Sequence, residues 1–122
     1  MGVFCTTGAE YMEARGGTST ISTPFLALAL PTAVPFGSPP PVTASKGVLG
    51  HALGAAGGLE AIATVLSLEH QLIPPTANLD HLDHDIDLDV VAGTPRAARV
   101  ATALSNSFGF GGQNAALIFR AA

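Results

Sequence analysis

The stretch Lys46-Gly47-Val48-Leu49-Gly50-His51-Ala52-Leu53-Gly54-Ala55-Ala56-Gly57 sets an ammonium and an imidazole five residues apart among glycine, alanine and aliphatic side chains. Ionisable groups in such small, apolar surroundings are costly to bury unless they have partners or chemical work. By itself a histidine in an apolar run is more often a satisfied core residue than a catalyst. A second chemical signal is Phe108-Gly109-Phe110-Gly111-Gly112. Its glycines allow positive φ and close backbone approach, so that an N–H here could face an oxyanion. On composition alone the same residues also read as a hairpin turn carrying two core aromatics.

These residues need elements to hold them. Leu59, Ile62, Ala63, Val65, Leu66 and Leu68 leave only Glu60, Thr64, Ser67 and Glu69 polar before His70, which predicts a helix from about Gly58 to His70 that is apolar over most of its circumference and buried on several sides. Pro74-Pro75 ends it, and residues 78–85 are turn-rich. Asp87 to Ala92, Val100 to Leu104 and Ala115 to Phe119 read as strands, the last of them in the central sheet. Ser105 to Asn114, between the last two, suits a tight antiparallel connection. Residues 31–41 hold five of the nine prolines and no charge, a linker that divides an irregular segment 1–41 from a folded unit 42–122.

Composition narrows the function. A chain of 122 residues makes at most one compact domain. Its charged fraction of 11% against 48% apolar is low beside the usual ~25% of soluble domains, as though the chain came from the inside of something larger. Five basic residues and a net charge of -4 argue against a nucleic-acid partner. The lone Cys5 excludes an internal disulfide and a thiolate zinc cage, which points to a reducing cytoplasm. Phe25 to Leu30, bracketed by prolines, is far too short to span a bilayer. Asp80 to Asp89 is rich in carboxylates and histidines but lacks the central glycine and terminal glutamate of a calcium loop, and reads as a solvated acidic loop with no metal.

Lys46 through His51, Gly54 to Gly57, Pro74-Pro75-Thr76 with Asn78, Leu88-Asp89, and Asn106-Ser107-Phe108-Gly109-Phe110-Gly111-Gly112 follow one another in an order and spacing that resembles the C-terminal part of the β-ketoacyl-acyl carrier protein synthases. These are the elongating condensing enzymes of type II fatty acid synthesis, of the KAS II type, in the thiolase-like superfamily. The resemblance runs from about Val42 to Arg120, and the ketosynthases of aromatic polyketide pathways are similar too. It implies an α/β fold, the C-terminal half of a thiolase-like layered fold with a buried helix against a mixed sheet. It further implies an acyltransferase reaction, the decarboxylating Claisen condensation of an acyl thioester with malonyl-acyl carrier protein, without metal or organic cofactor. His51 falls on the second histidine of the family's Cys-His-His set, where an imidazole N–H stabilises the enolate oxygen. Lys46 matches the active-site lysine, and Glu60 the acid that pairs with it and offsets the cost of burying its charge. Phe110 matches the residue that gates acyl access and whose backbone N–H enters the oxyanion hole, with Phe108, Gly109 and Gly111 completing the loop. The partners implied are acyl carrier protein, malonyl and acyl thioesters, and a second copy or a complementary synthase half.

The first forty residues depart from the family. Tyr11 to Thr20 resembles a damaged copy of the motif bearing the first active-site histidine, with Gly16 at the histidine's place. Cys5, among Val3-Phe4-Cys5-Thr6-Thr7, lacks the small-residue elbow of the family nucleophile. With cysteine and first histidine both missing, the resemblance implies an incomplete catalytic unit, inactive alone, since members of such a unit are not additive. The alternatives are a noncatalytic pairing module like the chain-length factors of polyketide synthases, and a nonfunctional gene fragment.

Overall fold

The computed structural model describes residues 2–8, 12–15, 18–21, 40–82, 84 and 86–122. Gly16, the Phe25 to Leu30 run and most of the proline-rich segment lie outside the described residues. A mixed sheet organises the rest. Its strands are β1 (Gly2–Gly8), β4 (Val42–Thr43), β7 (Val100–Phe108) and β8 (Asn114–Arg120), in the order β4-β1-β7-β8. β1 runs parallel to both neighbours, and β7 and β8 are antiparallel, with Thr102 opposite Arg120 and Phe108 opposite Asn114. β2 (Met12–Arg15) and β3 (Thr18–Ile21) form a separate antiparallel pair, as do β5 (Leu72–Ile73) and β6 (Arg96–Ala97). Residues 2–8 and 42–43 therefore share one sheet across the boundary drawn at residue 41.

Two expected strands change. The run 87–92 makes only isolated parallel bridges, Val42 to Val90 and Thr76 to Ala92. Its would-be partners explain this: β4 is two residues long, and the Pro74-Pro75 pair just before Thr76 has no N–H to extend a ladder. β7, by contrast, continues through Ser105-Asn106-Ser107 to Phe108, because β1 pairs with it as far as Gly8 opposite Ser107. β8 lies in this main sheet, as expected of Ala115 to Phe119, and forms its outer strand. The connection between β7 and β8 is the tight turn expected, closed by the Gly109 N–H donating to the Gln113 carbonyl at 2.8 Å.

A short helix α1 (Lys46–Leu49) leads through a single 3-10 turn (Leu53–Ala55) into helix α2 (Ala56–His70). α2 lies on the sheet mainly against β7, as the resemblance implies, but most of its large apolar residues are not the ones it buries. Ala56, Glu60, Thr64, Ser67 and Leu68 are buried, whereas Leu59, Ile62, Val65 and Leu66 are exposed, Ile62 to 60%. The expectation of burial on several sides fails among the described residues. Burial follows polar pairing instead: the Thr64 hydroxyl donates to the Glu60 carbonyl and the Ser67 hydroxyl to the Ala63 carbonyl, which satisfies both inside the packed face.

α2 ends at Gln71, a non-glycine residue in the left-handed region (φ 52°). Its side chain explains the choice. The amide donates to the Leu68 and Val100 carbonyls and accepts from the Val100 N–H at 2.8 Å, so one residue caps the helix and fastens it to the start of β7. Below that fastening Leu68, Ile73, Val91, Val100 and Ala103 form the main core cluster. Arg96 and Asp89 make a half-exposed ion pair at 2.5 Å, and this hydrogen bond raises the Arg96 pKa above its ordinary value. Exposed pairs of this kind contribute only about 0–1 kcal/mol.

Candidate functional site

α1 presents Lys46 and the first turns of α2 present Glu60, and the two side chains form an ion pair with side-chain exposures of 10% and 3%. Glu60 has a second partner, the Ser107 hydroxyl, which donates to Oε2 at 3.3 Å from the end of β7. A lysine, a glutamate and a serine from three elements thus share one carboxylate. α1 is placed from the other side, where the Asn78 side-chain amide donates to the Gly47 carbonyl at 3.1 Å. There is no room for more than glycine at 47: a Cβ would stand 2.6 Å from the Ala77 carbonyl oxygen. Gly47→Ala is therefore expected to push α1 and Lys46 outward and destabilise the chain by about 1–3 kcal/mol, read as a lower urea midpoint at unchanged slope.

His51 lies after α1 and is exposed. Its Nδ1 accepts the Leu53 N–H at 3.1 Å. A ring nitrogen that accepts carries no proton, so the neutral imidazole holds its proton on Nε2 and has that N–H to offer. Leu53 makes this bond from the left-handed region (φ 49°), a conformation that costs a residue with a Cβ about 1–2 kcal/mol.

An open cleft of about 470 Å³ gathers Lys46, His51, Leu53, Gly57, Ser107, Phe108 and Gly109, with Gln113 and Asn114 closing the far wall. Of the residues singled out in the sequence, the structure brings Lys46, His51, Phe108 and Gly109 to this cleft and places Glu60 behind Lys46. Gly111 is in the turn beyond at φ 80°, a conformation that suits glycine, and does not line the cleft. Phe110 lies in the same turn, and its side chain is outside the described residues. Ser107 is the residue that sequence reasoning underrated. In the sequence it is only one residue of the motif that carries the resemblance, and nothing in the local pattern signals a glutamate forty-seven residues earlier. Gly57 faces Ser107, and a Cβ there would stand 3.4 Å from its Oγ, an ordinary van der Waals contact.

Residues 8–80 match the family described as Beta-ketoacyl synthase, C-terminal domain, and the chain belongs to that family. It is 57% identical over 83 residues to the 3-oxoacyl-[acyl-carrier-protein] synthase 2 of Mycobacterium tuberculosis (strain ATCC 25618 / H37Rv), a match covering 68% of this chain and 20% of the relative. A relative of the same name from Synechocystis sp. is 51% identical over 79 residues, 65% of this chain and 19% of that one. Among solved structures, the ishigamide ketosynthase/chain length factor is similar over 98% of this chain and 28% of its own, with a TM-score of 0.81 and 34% identity. The chain spans about a fifth of the length of these curated relatives.

Proposed function

We propose that this chain carries the malonyl-side half of a β-ketoacyl-acyl carrier protein synthase site, working in decarboxylative condensation with an acyl thioester. The observation that carries this reading is the His51 arrangement: Nδ1 is held by a backbone N–H, which leaves Nε2–H as a donor beside the Lys46–Glu60 pair and the glycine loop. When the malonyl group loses carbon dioxide, the electrons of the broken bond pass into an enolate whose negative charge lies on the thioester oxygen. An Nε2–H fixed in place stabilises that charge without reorganising. The enolate carbon then attacks an acyl thioester on a cysteine contributed by another part of a complete synthase, and the thiolate leaves. The loop from Phe108 to Gly111 supplies backbone N–H groups to the tetrahedral oxyanion, with Phe110 as gate. Lys46, held in place by Glu60, keeps a positive potential at the cleft. The partners are acyl carrier protein, its malonyl and acyl thioesters, and a complementary synthase subunit or second copy.

The test is a chimaera in which residues 42–122 replace the corresponding part of the M. tuberculosis relative, supplied with radiolabelled malonyl-carrier protein and an acyl-carrier protein. Ketoacyl product is expected from the chimaera and none from the 122-residue chain alone. A folded, correctly assembled chimaera without product would overturn the reading. That outcome would favour a noncatalytic pairing module, a second reading supported by the likeness to a ketosynthase/chain length factor structure.

A further inference from the structure

Leu53 is held at a cost that its side chain does not recover within the fold. It sits at φ 49°, where a glycine would rest without strain. It is 79% exposed and lies outside the core clusters formed among the described residues. Its backbone N–H donates to His51 and its carbonyl accepts the Ala56 N–H, and a glycine would make both bonds equally. Yet the side chain lines the cleft next to His51. Lys46, His51 and Ser107 bring polar groups to the cleft and Phe108 a ring, while Leu53 brings a branched aliphatic side chain two residues from the N–H donor.

We propose that the Leu53 side chain is a specificity-determining contact of this cleft. It packs against the methylene carbons on the sulfur side of a thioester whose carbonyl oxygen is bound at His51. The inference rests on the proposed reading of the site and deepens it, because it names the part of the ligand that distinguishes a thioester arm from a bare malonate. The polar residues take the oxygen, and Leu53 takes the carbon next to the sulfur.

The probes are S-ethyl, S-butyl and S-hexyl malonyl thioesters, titrated into the full 122-residue chain and followed by the NMR signals of the His51 ring. Each methylene covered by Leu53 is expected to raise affinity by up to about fourfold. Leu53→Gly is expected to weaken S-ethyl binding by up to about fourfold, to flatten the dependence on the further methylenes, and to raise the thermal midpoint by about 2–4 °C as the backbone strain is released. Leu53→Ala keeps the left-handed strain without the aliphatic surface, so it should flatten the dependence with no gain in midpoint. An unchanged methylene dependence in Leu53→Gly would sink the inference and leave the proposed function standing. Loss of all binding in that variant would also sink it, by making Leu53 a support for His51 rather than a ligand contact. If no thioester perturbs His51 in the unaltered chain, both readings fall together.

Discussion

Replacing Lys46 by methionine is expected to destabilise the chain by about 3–5 kcal/mol, the usual cost of leaving one member of a buried ion pair without its partner. The Glu60 side chain is 3% exposed and cannot turn to water. After the substitution its carboxylate would keep, among the described residues, only the Ser107 hydroxyl at 3.3 Å, a neutral donor at the long end of hydrogen bonding. A loss of this size would take a large share of the ~5–15 kcal/mol that holds an ordinary domain together. Methionine keeps the length and apolar character of the lysine stem, so the change reports on charge rather than on a cavity. The double variant Lys46→Met/Glu60→Leu removes both charges and should recover at least half of the loss, since well-packed apolar replacements of buried pairs are often close to neutral. Urea denaturation of the chain and both variants decides it. A single-variant loss below about 1 kcal/mol would mean that solvent screens the pair as it does at a surface.

In the active chimaera, His51→Ala is expected to lower condensation about 10²–10³-fold, the typical effect of removing one preorganised donor from a developing oxyanion. The loss should fall on the decarboxylating step. Acyl loading onto the cysteine makes no enolate, so single-turnover loading should stay within a few-fold of the unaltered chimaera. His51→Asn, which retains an N–H donor on a shorter arm, should recover part of the rate. Equal losses in loading and in condensation would contradict the assignment, because they would show a general collapse of the cleft instead of a missing donor. The Leu53 N–H sharpens this expectation, since it fixes which ring nitrogen is left to donate.

Much of the site could be read from the chain because its parts are local. Lys46, His51 and the glycines between them lie within one turn-helix-turn segment, and the Phe108 to Gly112 loop is a single connection between two strands. Glu60 and its pairing followed from the resemblance. What the sequence did not disclose was long-range. The run Gly2 to Gly8 has the β-branched and aromatic residues of a strand, but no local feature tells that it pairs in parallel between β4 and β7. That pairing is also what carries β7 past Leu104 to Phe108 and so brings Ser107 to Glu60. Residues 87–92 failed in the opposite sense, with good strand propensity but partners too short to build a ladder. The helix misled through its composition. Apolar abundance predicts burial, yet side-chain pairing decided which residues were covered.

The inverted burial of α2 has a geometric consequence. At 100° per residue, the stripe of Glu60, Thr64 and Ser67 lies about 130° around the helix from that of Leu59, Ile62 and Leu66. Rolling the helix over would cover more hydrocarbon but would strip Lys46 of its counter-charge. The carboxylate of Glu60 thus acts as a key that, together with the Gln71 fastening and Leu68 in the core, sets the rotational orientation of the helix on the sheet and so which residues α2 turns outward.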